Sequence, residues 1–180
     1  RGKDLLFKKE CGLELNKNIL QNLSFQNIIK YKTFKNESSF DSRRERNLIG
    51  LWNEFIIKPY INNRVELDFI LTNGFDQGEL QNIQFQSSSI GSKIRIKAFL
   101  KNTGRLETDI NYIIGKEKNN LKFIPPEALN GYPLGKSFQT NTRLQYFINK
   151  SVSMIYSLNI IKNKRYENFI SFKGEIRAFF

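Results

Sequence analysis

Apolar and polar residues alternate with a period of two along most of this chain. Residues 22–34, NLSFQNIIKYKTF, set Leu23, Phe25, Ile29 and Tyr31 against Ser24, Gln26, Lys30 and Lys32. Residues 63–72, NRVELDFILT, set Val65, Leu67, Phe69 and Leu71 against Glu66, Asp68 and Thr72. In KIRIKAFLK, Ile94, Ile96, Ala98 and Leu100 oppose Lys93, Arg95, Lys97 and Lys101; the next segment opposes Leu106, Ile110, Tyr112 and Ile114 to Glu107, Asp109 and Asn111. Successive side chains of a strand point to opposite faces, so each segment reads as a two-faced strand. Asn102-Thr103-Gly104 between the last two is short enough for a hairpin turn, with Gly104 free to take a positive φ.

The rhythm resumes near the C-terminus. Leu144, Tyr146 and Ile148 alternate with Arg143, Gln145 and Asn149; Val152, Met154, Tyr156, Leu158 and Ile160 alternate with Ser153, Ser157 and Asn159, leaving Asn149-Lys150 as the turn. In the last segment Ile170, Phe172, Gly174, Ile176, Ala178 and Phe180 face one way and Ser171, Lys173, Glu175 and Arg177 the other. Nine or ten such segments without a 3.6-residue amphipathic period predict an all-β fold, an antiparallel up-and-down meander of long strands. Residues 116–136 break the pattern with three of the four prolines. Pro125-Pro126 cannot sit in a central strand, so a long loop is expected there, with one helical turn at Glu127 to Leu129. Residues 38–47 and 162–168 read as polar connections, and Ser87-Ser88-Ser89 as a strand end or turn.

Composition narrows the function. The 180 residues suit one β domain spanning 1–180. The net charge of +12 favours an anionic partner, lipid head groups, lipopolysaccharide phosphates or nucleic acid. The basic residues are scattered through the alternating segments and form no block, and the Lys, Asn and Ile richness matches an AT-biased genome, so nucleic acid is not the expected partner. The chain has no histidine, which removes the commonest general base and the commonest metal ligand; neither catalysis, a metal nor a cofactor is expected. The single cysteine, Cys11, has no partner for an internal disulfide and reads as a small residue on a strand face. No signal peptide is visible, and the missing initiator Met suggests that residues 1–180 are the C-terminal portion of a longer precursor. No apolar run reaches the roughly 18 residues of a spanning helix.

Strand length then separates the candidate settings. The segments run about 10 to 12 residues, near what a tilted strand needs to cross a bilayer and longer than the typical strand of a soluble sheet. Short turns at Asn102 to Gly104 and Asn149-Lys150 alternate with long connections at 116–136 and 162–168, the asymmetry of outer-membrane barrels.

The ending carries a resemblance. ISFKGEIRAFF, a strand of alternating apolar residues closing on Phe180, resembles the terminal assembly signal of Gram-negative outer-membrane β-barrel proteins. More narrowly, the region from EALNGYPLGKSF to the C-terminus is similar to the C-terminal region of large surface or outer-membrane proteins of the Bacteroidetes–Chlorobi group, which end Arg-Ala-aromatic-Phe. The hairpin that usually carries a His in that group has none here. The resemblance covers about the last 55 residues. It implies an outer-membrane β-barrel or its C-terminal part in the bacterial outer membrane, non-enzymatic, acting as anchor, pore or surface scaffold. It further implies that Ile170, Phe172, Ile176, Ala178 and Phe180 form the assembly signal and face lipid, with Lys173, Glu175 and Arg177 facing the lumen. The implied partners are membrane lipid and lipopolysaccharide, the barrel-assembly machinery and other envelope proteins.

A second reading is a soluble basic β-domain that binds nucleic acid or another polyanion, and a soluble sandwich core strand would also alternate. Trp52 and the tyrosines fit either an aromatic girdle or core packing. The face Lys93, Arg95 and Lys97 fits a phosphate-tracking stripe or, better, a solvated strand face. Glu175 and Arg177 lie two apart on one face and are placed to pair.

Overall fold

The computed structural model describes residues 4–38, 45–101, 103–119, 121, 124–164 and 168–178. Nine strands fill it: β1 (Asp4–Leu20), β2 (Leu23–Ser38), β3 (Arg46–Asn62), β4 (Val65–Leu80), β5 (Ile83–Leu100), β6 (Gly104–Glu117), β7 (Gly135–Phe147), β8 (Val152–Asn163) and β9 (Phe169–Ala178). They form one sheet in chain order, every pair antiparallel, with β1 and β9 as its edges. The fold is therefore the all-β up-and-down meander that the period of two predicts. Among the described residues the only helical feature is a 3₁₀ turn at Ala128–Gly131, one residue past the expected position.

The strands are longer than expected. β1 to β5 run 16 to 18 residues, and only β9 is as short as 10. β1 and β3 add two strands whose alternation is blurred by polar or charged residues on the apolar side, such as Lys9, Lys17 and Asn53. Connections at one end of the sheet are short: 21–22, 63–64, 101–103 and 148–151. At the other end the longer connections join Ser38 to Arg46, Glu117 to Gly135 and Asn163 to Phe169, with one exception: Gln81 and Asn82 make a two-residue turn, both at positive φ (53° and 62°) as such hairpins require.

Three local expectations change. At the β5–β6 turn the positive φ (49°) belongs to Lys101, and Thr103 donates its backbone N–H to the Leu100 carbonyl. Gly104 serves a different need, since a Cβ there would meet the Gln145 carbonyl oxygen of β7 at 2.5 Å. The turn after β7 takes four residues, 148–151, closed by Ile148 N–H and Asn149 N–H donating to Val152 O, and is wider than Asn149-Lys150. Ser87-Ser88-Ser89 lies inside β5, with Ser87 opposite Asp76 and both Ser87 and Ser89 buried. Small side chains belong there because the 3₁₀ turn lies against β4 and β5.

Residues 124–134 fold back over one face of the sheet, and this sets the core. Phe34, Leu48 and Phe85 pack with Ala128, and Trp52 packs with Leu129 and Leu134, with Ile124 and Tyr132 around them. The opposite face has no such cover: Ile29, Tyr31, Leu51, Phe55, Phe69, Leu71, Ile90 and Phe172 are all exposed.

Candidate functional site

The bare face is the first candidate. Side chains directly opposite on paired strands share a face, so the register assigns every residue of β3 to β9. On those strands, among the described residues, its charged positions are Glu79, Lys116, Lys136 and Lys162. All four stand second from a strand end, at the end of the sheet that carries 124–134. Below that rim the face is uncharged and mostly apolar: on β3 it runs from Ile49 to Ile57, eight steps of roughly 3.3 Å or about 26 Å. Polar side chains interrupt it: Ser92, Thr108, Thr140 and Thr142 lie among the apolar ones, and Gln77, Gln86 and Ser88 lie nearer the rim. Asn53 lies opposite Asn73, and Asn27 Nδ2 donates to Asn53 Oδ1 at 2.9 Å. β1 departs from the pattern, with Lys9 and Lys17 among its bare-face residues.

β9 continues this division. Ile170, Phe172, Ile176 and Ala178 lie on the bare face, and Phe172 stacks with Tyr156 of β8 at 6.2 Å between ring centroids. Lys173, Glu175 and Arg177 lie on the other face, where Glu175 accepts from Arg177 Nε at 2.7 Å and has Lys173 within 3.8 Å. Phe180 lies outside the described residues. Cys11 is exposed on β1.

The covered face holds the charges in pairs. Lys93 meets Asp109 at 2.7 Å; Arg95 meets Asp109 at 3.3 Å and Asp68 at 3.6 Å; Lys97 meets Glu66 at 3.1 Å. The stripe Lys93, Arg95 and Lys97 is thus committed to carboxylates of β4 and β6 and is not an open phosphate track. Closer to the rim, Lys32 of β2 pairs with Asp76 of β4 at 3.2 Å and donates to Glu127 O and Asn130 Oδ1. Asp76, fully buried, also accepts the Leu129 N–H at 2.7 Å, and Arg46 grips Glu127 through Nε and Nη2. These contacts hold the 3₁₀ turn to the sheet. Trp52 settles as a core residue at 2 % exposure, whereas Tyr31, Tyr112, Tyr146 and Tyr156 lie on the bare face.

Sequence reasoning passed over Asp76. Its signal was GFDQG, residues 74–78, where a carboxylate stands between two glycines on the same face of an alternating strand. Gly74 makes room for the Trp52 indole, whose Cε2 would lie 2.5 Å from a Cβ there. Burial, with lesser help from the Glu54 and Asp109 carboxylates, pushes the Tyr132 phenol above its ordinary value. Among the described residues no group of three or more Cys, Asp or Glu side chains is placed to hold a metal ion, and no helix is long and apolar enough to cross a membrane. No family model matches the chain, and no curated protein matches it.

Proposed function

We propose that this chain is a non-enzymatic outer-membrane β-barrel protein, or the C-terminal part of one, serving as anchor, pore or surface scaffold, with β9 as the strand read by the barrel-assembly machinery. The observation that carries the reading is the bare face: a mostly apolar band about 26 Å tall along β3, free of charge across β3 to β9 and bounded at one end by Glu79, Lys116, Lys136 and Lys162. In water an uncharged, mostly apolar surface of this extent exceeds the patch a monomer tolerates; against hydrocarbon it is the expected surface. The lysines of the rim suit lipid and lipopolysaccharide phosphates. The edges β1 and β9 offer unpaired backbone groups that a bilayer does not tolerate, so the reading requires them to be joined to each other or to further strands.

Membrane fractionation of the native source tests this. Recovery of the chain in the carbonate-resistant outer-membrane fraction is expected; recovery in the soluble or ribosome-associated fraction overturns the reading in favour of a soluble polyanion-binding domain.

A further inference from the structure

Four lysines meet at the rim of the bare face on β6 to β8, with Lys136 as their hub. Lys136 stands opposite Ile114 of β6 and two residues before Phe138, which stands opposite Lys162 of β8. Lys116 and Lys162 are therefore its diagonal neighbours on one face, with Cα atoms roughly 7–8 Å away. The Lys164 N–H donates to the Lys136 carbonyl, which carries the β7–β8 ladder one step past Asn163 and sets Lys164 directly across from Lys136, about 5.5 Å between Cα atoms. Like charges directly opposite destabilise a sheet. All four side chains are exposed, and none of the four ammonium groups has an ion-pair or hydrogen-bond partner among the described residues.

The covered face treats its cations differently, since Lys32, Lys93, Arg95 and Lys97 each meet a carboxylate. Among the described strand residues, the one carboxylate on the bare face of β3 to β9 is Glu79 of β4, with β5 between it and the nearest lysine. Nor is the cluster part of a uniform rim. Beside it β4 and β5 carry Gln77 and Gln86, and at the other end of β6 to β8 the same face carries Leu106, Tyr146 and Val152.

An anion completes such a cluster, and the surface below it selects the kind. Ile114, Tyr112, Phe138 and Ile160 follow the lysines down the same face, with the Tyr112 and Phe138 rings opposite each other and exposed. A charged head above an apolar strip fits an amphiphile better than a free ion, which leaves the strip bare, or a nucleic acid, whose phosphates run on past a cluster confined to three strands. One phosphodiester answers only one of the four positive charges. We infer that Lys116, Lys136, Lys162 and Lys164 seat a lipid whose headgroup carries two phosphates, with its acyl chains along Tyr112, Phe138 and Ile160. The inference rests on the reading that the bare face lies against lipid.

The full chain is first offered to phosphatidylcholine vesicles, which carry no net charge. It is then held in amine-oxide micelles with equimolar cardiolipin (two phosphates) and phosphatidylglycerol (one), and the lipids retained are counted by native mass spectrometry. Expected are entry into the vesicles, preferential retention of cardiolipin, and about tenfold weaker retention in the double variant Lys136→Gln, Lys164→Gln. Lys150→Gln, in the turn at the opposite end of the sheet, is expected to retain cardiolipin as the native chain does. Emission of Trp52, the only tryptophan of the chain, checks that each variant is folded. A second double variant, Lys116→Gln with Lys162→Gln, carries the test if the first fails to fold. A chain that stays outside phosphatidylcholine vesicles fails the membrane reading and takes this inference with it. Entry into the vesicles followed by equal retention of both lipids overturns this inference alone, as does unchanged retention in a folded double variant or an equal loss in Lys150→Gln. Displacement of cardiolipin by equimolar inorganic pyrophosphate or by a single-stranded RNA oligonucleotide overturns it too, by giving the lysines to free phosphate or to nucleic acid.

Discussion

Lys32 Nζ and Asp76 Oδ1 meet at 3.2 Å although β3 runs between their strands. The register places Gly50 directly between them, opposite Lys32 on one side and Asp76 on the other. A Cβ on Gly50 would collide with Asp76 Oδ1 and stand 2.5 Å from Lys32 Cε. Glycine at 50 is thus the opening through which β2 and β4 touch, and the pair formed there is also the seat of the 3₁₀ turn.

Removing one partner of a buried ion pair strands the other charge, which costs about 3–5 kcal/mol. Asp76→Ala is expected to lose that much in urea unfolding followed by Trp52 emission. Asp76→Asn keeps an oxygen for the Leu129 N–H and is expected to lose less. A loss under about 1 kcal/mol for Asp76→Ala would show that the pair contributes little.

Gly74→Ala presses a methyl group into the Trp52 ring, at 2.5 Å from Cε2 and 2.7 Å from Cζ2. The indole is expected to leave its buried position, read as a red shift of the emission maximum, with destabilisation of about 1–3 kcal/mol for overpacking. An unshifted spectrum would mean that the ring has room the packing does not show.

The Tyr132 phenol titrates above its ordinary value because burial disfavours the phenolate. A raised folded value means that the neutral form is favoured in the docked segment. Its contribution is complete below the ordinary value near pH 10 and is lost as pH rises through the folded value. Trp52 emission is expected to shift red on that alkaline limb in the native chain, and the shift to shrink in Tyr132→Phe. An identical alkaline transition in both would assign it to other groups.

Leu71, exposed at mid-height of the bare face on β4, separates lipid from water as its surroundings. Leu71→Arg is expected to cost about 2–4 kcal/mol in folding into phospholipid vesicles, whereas a surface change in water stays within about 0.5 kcal/mol. The smaller value would count against a lipid-facing surface.

The division into two faces was legible in the sequence because a period of two needs only local pattern: among the described strand residues, the sets read for β2, β4 to β6 and β9 are the sets that share a face in the sheet. Ser87-Ser88-Ser89 misled because a run of small polar residues has the same local signature in a turn as in a strand with a segment packed against it. The docking of 124–134 was not legible at all. Prolines mark it as a break, but its landing place depends on Asp76, Lys32 and Arg46, which lie 53 to 98 residues away from their contacts in it. The choice for Trp52 between girdle and core turned on that same landing.

A meander in strict chain order also constrains the order of assembly. Every strand pairs with its neighbours in sequence, so pairing can proceed strand by strand, and the longest loop to close between paired strands is the one from Glu117 to Gly135. Arg46 with Glu127 and Lys32 with Asn130 instead close loops of 81 and 98 residues, and their landing surface spans β2 to β5. The sheet must therefore exist before the segment has anywhere to land, and burial of Trp52 is a clock for the last step: its emission is expected to change after strand formation is complete.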